Sequence, residues 1–222
     1  MSDLLPLFPL PNVVLFPNVF LPLHIFEPRY REMVADAVAG DRLIGMVLLR
    51  PGWQQDYEEQ PPVYPIGCSG LITHVERLAD GRYNIVLRGI ERFRILEEDH
   101  HRNYRRATVE ALVEHKLLAD DCAALKRQRS KLEGLLAPSA EGDPRLAQAV
   151  PSESRGVEPR IPAGMPDEDL VNALAQYLDL EPLEKQALLE KQSLRARAES
   201  LVELLEMKIM IARMPGMSSL AH

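Results

Sequence analysis

The first thirty residues combine dense hydrophobicity with repeated helix breakers. Residues 4–26 are almost entirely apolar, and a transmembrane helix needs about 20 such residues. Five prolines lie inside this stretch, however, at positions 6, 9, 11, 17 and 22. Each interior proline removes a backbone hydrogen bond and costs a helix roughly 3 kcal/mol. The stretch is therefore predicted to be neither a membrane span nor a signal peptide, since its first basic residue comes only at Arg29.

The prolines instead divide the stretch into short extended pieces, because each one pushes the preceding residue towards β or polyproline geometry. Strands or extended segments are predicted at residues 4–10, 13–16 and 19–25. Pro17-Asn18 predicts a turn between the last two. The hydrophobic period then becomes helical, and this helix is predicted to start at Pro28 and to stop at Gly40.

Residues 43–113 carry the short apolar runs and alternation that are typical of strands. Strands are predicted at residues 43–49, 63–78, 83–88, 92–95 and 104–113. Asp80-Gly81 predicts a hairpin turn and Gly89 a bulge or bend, while 51–62 is a polar loop bounded by prolines. Several strands, one short helix and no βαβ rhythm favour a small, strongly curved sheet or barrel.

The second half of the chain has helical periodicity. One predicted face contains Leu118, Cys122, Leu125, Leu132 and Leu136. Further helices are predicted after a cap at Asp167, from Pro182 to about Lys191, and after a cap at Ser193. Residues 138–166 form a long loop rich in Pro, Gly, Ser and charge. We therefore predict a β domain over residues 1–116 and a helical bundle over residues 117–222.

Composition narrows the classes of function. The net charge is −7 over 222 residues and neither half is basic, which disfavours nucleic-acid binding driven by general attraction to phosphates. A chain of this size needs no disulfide or metal to stabilise its core. Cys68 and Cys122 are predicted to be reduced, buried thiols in a cytoplasmic protein. The histidines show no ligand spacing with either cysteine, so no metal site is predicted.

Three segments resemble a known family. LPLFPLPNVVLFPNVFLPLHIFEPRYREMV, at the start of the chain, strongly resembles the opening signature of the Lon protease N-terminal domain. IGCSGLITHVERLADGRYNIVLRGIERFRI, residues 66–95, is similar to the family's glycine-marked strand, hairpin and G-x-x-R-x-x-I ending. Residues 166–205 are similar to the helical bundle that follows. The resemblance is specific because the prolines, the glycines and the EPRY motif occur in the same order along the sequence.

The resemblance implies an α+β fold, in which a PUA-like β pseudo-barrel is followed by an all-α helical bundle. In full-length Lon, this region recognises substrate polypeptides and helps to assemble the ring, while other domains hydrolyse ATP and peptide bonds. A stand-alone, non-catalytic form is expected here, because the sequence contains no G-x-x-x-x-G-K-[ST] loop. The expected partner is an unfolded or extended polypeptide, or a partner protein, with no cofactor.

One serine lies in a sequence similar to that around the nucleophile of Lon. Pro138-Ser139-Ala140 matches three residues around the nucleophile of Lon, but its neighbours Ala137 and Glu141 do not match. A nucleophilic serine needs a positioned base and an oxyanion pocket on a rigid scaffold. Lys185 could be assigned as that base on sequence order alone. Catalysis by Ser139 is therefore not predicted.

Six residues are candidates for partner binding: Trp53, Tyr57, Arg92, Arg102, Tyr104 and Arg105. Trp53 and Tyr57 lie in the proline-bounded loop, where aromatic side chains can anchor a partner, although such a tryptophan also commonly folds back onto its own domain. Arg92 either binds an acidic group or braces the barrel. Arg102, Tyr104 and Arg105 form a local basic and aromatic cluster, or simply surface charge.

The leading hypothesis from sequence is polypeptide binding at an apolar groove between barrel and bundle, beside the loop at residues 51–62. RNA binding through the PUA-like barrel is the alternative, and a hidden hydrolase is the third hypothesis. The ligand, the oligomeric state, cooperation with a protease and the order of the loop at 138–166 stay open at this level.

Overall fold

The computed structural model describes residues 4–55, 61–99, 101–114, 118–136 and 164–213. The chain forms two compact units. The first comprises Met1–Val113 together with Glu181–Glu190, and the second comprises Glu114–Leu180 together with Lys191–His222. The described residues of the first unit hold a mixed sheet and two α-helices, and those of the second hold three α-helices. The fold class is α+β, as predicted.

Six strands build the sheet of the first unit: β1 (Leu5–Leu10), β2 (Phe20–Ile25), β3 (Leu43–Leu48), β4 (Ile66–Arg77), β5 (Tyr83–Asp99) and β6 (Arg106–Ala111). Their order is β2-β5-β4-β3-β1-β6, and β6 also pairs with β5. The pairings therefore run in a closed circuit through five strands, with β2 attached outside it along β5. Among these described strands, only the β1–β3 pair is parallel.

The interior of this unit is apolar because alternate positions of several strands face it. One core cluster joins Leu5, Leu7, Val47, Leu49, Val63, Phe93 and Ala107. Residues 13–16, predicted as extended, form no strand, yet Val14, Leu15 and Phe16 are buried. Their apolar character therefore comes from core packing rather than from strand pairing.

Gly89 lies where this buried segment approaches β5. A Cβ atom there would overlap the carbonyl oxygen of Phe16, so the close contact requires glycine. The β4–β5 register shifts between Ser69 and Gly70, which pair with Glu91 and Gly89 and leave Ile90 as the additional residue of a bulge. The predicted bulge at Gly89 is confirmed, although the strand continues through it.

Local turn and helix signals in the first unit are also confirmed. Asn18 (φ 61°) and Gly81 (φ 82°) adopt the left-handed conformation in the two predicted turns. Helix α1 runs over Pro28–Ala39 with its proline at the first turn, and Gly40 follows it. A single 3₁₀ turn, Trp53–Gln55, follows β3.

The second unit contains α2 (Ala119–Leu136), α3 (Asp167–Tyr177) and α5 (Leu194–Arg213), and both α2 and α3 pack on α5. Arg197 on α5 is fully buried and donates hydrogen bonds to Asn172 Oδ1 (3.0 Å) and Glu114 Oε1 (2.5 Å). The predicted cap at Ser193 is confirmed, because its Oγ accepts a hydrogen bond from the N–H of Ala196.

Two predictions for this unit were wrong. Cys122 is exposed rather than buried, because α2 turns Leu125 and Leu132 inward and Cys122 away from that face. Asp167 does not cap α3, since Pro166 occupies that position and the Asp167 carboxylate instead accepts a hydrogen bond from Arg129. The predicted loop at residues 138–166 lies outside the described residues up to residue 163.

Helix α4 (Pro182–Leu189) belongs to the first unit although its sequence neighbours belong to the second. It begins at Pro182, as predicted, with a reciprocal capping box between Glu181 and Glu184. The side-chain amide of Gln186 donates to the carbonyl of Ile66 (3.0 Å), so the helix is hydrogen-bonded to the start of β4.

Candidate functional site

The predicted basic and aromatic cluster lies at the entry to β6, against α1. Tyr104 is only 5% exposed and donates a hydrogen bond from its hydroxyl to Asp36 Oδ2 (2.7 Å). The pKa of Tyr104 is raised to about 12, mainly by burial and secondly by the hydrogen bond to the Asp36 carboxylate. The side chain therefore fastens this segment to α1, and its aromatic ring is not available on the surface.

The two arginines of the cluster are both balanced by carboxylates. Arg102 is half-exposed, with Nη1 3.6 Å from Asp36 Oδ2 and 3.7 Å from Glu32 Oε1. Arg105 is buried, donates to the carbonyl of Pro61 (2.6 Å) and has Nη1 3.3 Å from Glu98 Oε2. Burial lowers the pKa of Arg105, which its ion pair with Glu98 partly opposes.

A depression of about 480 Å³ adjoins the cluster. It is lined by Leu4, Pro6, Asp36, Ala37, Ala39, Gly40, Asp41, Arg102, Tyr104 and Arg106. Arg106 is itself paired with Asp99 (2.6 Å), whose pKa is lowered to about 2 by hydrogen bonds from His101 first and Arg106 second. Each arginine of the lining thus has an acidic partner. The depression carries no excess of positive charge to attract phosphates.

Arg92 is the most deeply buried of the five candidate residues that the structure describes, at 3% exposure. Its Nη1 donates to the carbonyl of Leu189 (2.9 Å), at the last residue of α4. A cation at this position also complements the partial negative charge of the helix C-terminus. The structure therefore places Arg92 beneath α4 within the first unit, in the bracing role that the sequence left open.

Of the two aromatic candidates in the loop at residues 51–62, the structure describes Trp53 but not Tyr57. Trp53 is partly buried and packs against the core cluster described above, so its ring folds back onto its own unit. Tyr57 lies outside the described residues. The six candidate residues are therefore not gathered into one site, since Arg102, Tyr104 and Arg105 cluster at α1 while Arg92 and Trp53 lie elsewhere.

The sequence reasoning did not single out an exposed apolar surface around β2. Phe20 is 51% exposed, Phe26 is 61% exposed, and Ile90 on the neighbouring β5 is 41% exposed. The alternation in FLPLHI could have indicated it, because Leu21, Leu23 and Ile25 occupy one face while Phe20 and Pro22 give the other face apolar character as well. A strand with two apolar faces must either be buried on both or expose one.

Polar groups border this surface on one side. His24 contacts the Asn84 Oδ1 through Nδ1 (2.8 Å) and Arg82 through Nε2 (3.2 Å). Its ring lies 6.4 Å from that of Phe26 in a stacked arrangement. A shallow depression of about 340 Å³ beside it is lined by Pro22, Leu23, His24, His74, Asn84, Ile85 and Val86.

The described residues provide no group of side chains suited to metal chemistry. Among the described residues, no three His, Cys, Asp or Glu side chains are grouped so as to hold a metal ion. Ser139, the serine considered above, lies outside the described residues. No helix in the described ranges is both long and apolar enough to cross a membrane.

A mixed sheet closed through five strands and a separate helical unit place the chain in the α+β class. The chain belongs to the family of the ATP-dependent protease La (LON) substrate-binding domain, whose model matches residues 4–207. This confirms the resemblance seen in the sequence.

Curated relatives are similar along most of the chain. The chain is 30% identical over 206 residues to Lon protease 2 of Myxococcus xanthus, covering 93% of this chain and 24% of that protein. It is 29% identical over 204 residues to Lon protease of Anaeromyxobacter dehalogenans, covering 92% of this chain and 23% of that protein. The chain thus spans about a quarter of the length of these relatives.

Solved structures share the fold. The Lon N-terminal domain protein from Xanthomonas campestris superposes with a TM-score of 0.55 at 22% identity, covering 96% of this chain and 99% of that one. The N-terminal domain of Mycobacterium avium complex Lon protease gives 0.60 at 18% identity, covering 92% and 98%. At these identities the likeness establishes the fold.

Proposed function

We propose that this chain is a non-catalytic module that binds unfolded or extended polypeptide, as the substrate-recognition part of a Lon-type system does. The observation that carries the proposal is the family match over residues 4–207, since that family is a substrate-binding domain. The relatives' protease activity belongs to proteins about four times as long, of which this chain matches one part.

The geometry supports polypeptide over nucleic acid as the ligand. The described residues expose large apolar side chains on the sheet, such as Phe20 and Leu96, and directly after β2 at Phe26. Exposed apolar surface of this kind marks interaction sites for other proteins. The basic cluster at the entry to β6 is neutralised, because Arg102 and Arg105 are paired with acidic side chains. RNA binding therefore gains no specific support.

Three further features belong to the same proposal. The closed circuit of five strands in the first unit is consistent with a PUA-like pseudo-barrel. A groove for the ligand beside the loop at residues 51–62 follows from the sequence hypothesis. A cytoplasmic location is supported by the family resemblance alone.

The proposal is tested with one model protein in two states. A small disulfide-bonded protein is labelled, and its reduced, alkylated and therefore unfolded form is titrated with the chain while fluorescence anisotropy is recorded. Saturable binding of the unfolded form, with none of the native form, is expected. Absence of any saturable binding up to high micromolar chain would overturn the proposal.

A casein-cleavage assay tests the non-catalytic part of the proposal. No cleavage is expected from the purified chain, with or without ATP. Cleavage that scales with the amount of chain and disappears in Ser139→Ala would show that the chain is a hydrolase.

A further inference from the structure

Helix α5 of the second unit carries apolar side chains on two faces in its C-terminal half. Leu201 and Leu205 are buried on one face. Met207, Met210 and Ile211 are 43%, 55% and 56% exposed, and their spacing of three and four residues places them together on the side turned away from the buried leucines. We call these three residues the methionine stripe. A helix with two apolar faces must be covered on both or expose one.

The positions of α2 and α3 explain why the methionine stripe is exposed. Arg195 in the first turn of α5 pairs with Asp121 at the start of α2 (3.3 Å). Arg197, also in the first turn of α5, donates to Asn172 in the middle of α3 (3.0 Å). Along α5, no residue from 206 to 212 is buried. The C-terminal two turns of α5 therefore project beyond the fully packed part of this unit.

Methionine is suited to binding many different apolar side chains. It is unbranched and has three rotatable bonds and a polarisable sulfur, so it adapts to partners of irregular shape. Proteins that bind many partners use methionine-rich surfaces because such surfaces can repack around each one. Two of the three residues of the stripe are methionine. The stripe therefore has the chemistry expected of a surface that accepts many unfolded chains.

Acidic side chains border the methionine stripe. Glu203 precedes Met207 by four residues and Glu206 precedes Met210 by four, so each carboxylate stands one turn before a methionine on the same side of α5. Both glutamates are exposed. Lys208, which is also close to the stripe in the sequence, is half-buried and already takes part in another interaction. The stripe is thus complementary to an apolar segment that carries positive charge.

We propose that the methionine stripe of α5 binds an apolar segment of an unfolded polypeptide that carries a lysine or arginine next to its apolar side chains. The apolar side chains of the segment pack on Met207, Met210 and Ile211, and its cation lies against Glu203 or Glu206. This inference rests on the proposed function and assigns it a surface and a class of segment.

The test of the stripe uses a fluorescein-labelled twelve-residue peptide that contains leucine, phenylalanine and two lysines. Its binding to the chain is measured by anisotropy. The double variant Met207→Gln/Met210→Gln removes apolar surface but keeps the length and the helix propensity of both side chains. Binding should weaken about tenfold, because less apolar surface is then removed from water in the complex.

The matched control is the double variant Leu118→Gln/Leu183→Gln. Both leucines are exposed as well, but Leu118 lies just before α2 and Leu183 lies on α4 of the first unit. This control should leave the affinity within about twofold, since exposed positions outside a binding surface contribute little. Equal losses of affinity in the two double variants would overturn the assignment to the stripe.

Glu206→Lys tests the charge preference. Binding of the lysine peptide should weaken about threefold, and a peptide with glutamate in place of both lysines should bind this variant more tightly than it binds the wild-type chain. Glu97→Lys, at an exposed position on β5 in the first unit, is the control and should change neither affinity by more than about twofold. The same order of the two peptides in Glu206→Lys and in the wild type would overturn the charge preference.

Oxidation of methionine gives a readout at the stripe itself. Hydrogen peroxide converts exposed methionine into its sulfoxide, and mass spectrometry locates the product. Met207 and Met210 should be oxidised readily in the free chain and about fivefold more slowly in the peptide complex, while buried Met33 and Met46 should resist oxidation in both. Unchanged oxidation of Met207 and Met210 in the complex would overturn the inference.

Three further outcomes separate this inference from its foundation and from other occupants. If the unfolded model protein binds but neither the double methionine variant nor the oxidation rate responds, the surface is wrong while the proposed function stands. If Met207 and Met210 resist oxidation as strongly as Met33 in the dilute free chain, another segment of this chain covers the stripe. If their protection grows with chain concentration, a second copy covers it. Either of the last two results would overturn the inference.

Discussion

Arg102, Tyr104 and Arg105 lie within four positions of one another and end in three different environments. Arg102 remains half-exposed between two carboxylates, Tyr104 is buried on Asp36, and Arg105 is buried on a backbone carbonyl. The sequence indicated a cluster because residue types can be read directly. It could not indicate that acidic partners from α1 and β5 would neutralise the cluster. The partners on α1 are more than 60 residues away in the sequence, and the partner on β5 is brought close only by the register of β5 with β6.

Tyr104 provides a test of one of these environments. Tyr104→Phe removes the hydroxyl that donates to Asp36, and we expect the free energy of unfolding at pH 8 to fall by about 1–2 kcal/mol. Chemical denaturation measures this change. Tyr83→Phe, at a half-buried position on β5, is the control and should change it by less than about 0.5 kcal/mol.

The pH dependence of the same site has a defined sign. The folded-state pKa of Tyr104, about 12, lies above the ordinary value of 10. Its contribution to stability is therefore fully present below pH 10 and is lost as the pH rises through 12. Denaturation curves across this range should show a decline in the wild type that is smaller in Tyr104→Phe. An identical decline in both would contradict the assignment.

We expect Gly→Ala substitutions at Gly89 and at Gly134 to change the free energy of unfolding in opposite directions. Gly89→Ala would push a methyl group into the carbonyl oxygen of Phe16, so unfolding should become easier by at least about 2 kcal/mol. Gly134→Ala lies in α2, where no described atom outside the adjacent helix backbone comes within 4 Å of the new Cβ, and should stabilise by about 0.5–1 kcal/mol. Thermal and urea unfolding of both variants would check the two signs, and equal effects would refute the close approach at Gly89.

At the scale of elements, local signals predicted most boundaries closely. Helix α1 begins at the proline that was expected to start it, and the hairpin turn at Asp80-Gly81 joins β4 and β5. Proline, glycine and capping residues act on the backbone within a few positions, so they can be read without the tertiary structure. Cys122 was misplaced because several periodic residues on α2 allow more than one inward face.

Helix α4 is held to the sheet by contacts that its own sequence does not contain. Arg92→Met keeps much of the side-chain volume but removes the donor to the carbonyl of Leu189. We expect the amides of α4 to exchange about tenfold or more faster, because a lost charged hydrogen bond costs about 1.5–3 kcal/mol. Hydrogen exchange with mass spectrometry resolves this helix. Arg94→Met, at an exposed position, should leave α4 exchange unchanged.

At the scale of the whole molecule, charge distinguishes the two kinds of ligand. The net charge is −7 and the described basic cluster is paired with carboxylates. Binding of an unfolded protein should therefore change by less than about threefold between 50 and 300 mM salt, since few charges are neutralised. Any RNA binding should fall far more steeply, because it releases counterions from each contacted phosphate.

Filter binding of RNA and anisotropy of the unfolded protein, both recorded across this salt series, check the prediction. Polypeptide binding that collapses with salt, together with tight RNA binding at 300 mM, would contradict it. Reversal of that kind would favour nucleic acid as the ligand.

The sequence by itself determined most of the strands, turns and helix starts, and the family to which they belong, because prolines, glycines and hydrophobic periodicity act over short distances. Only the tertiary structure decided that β2 lies at an edge of the described sheet, that α4 joins the sheet unit, and that Arg102 and Arg105 are neutralised. These properties depend on which distant segments pair, and pairing follows from the total burial and hydrogen bonding of the folded chain rather than from any one stretch of it.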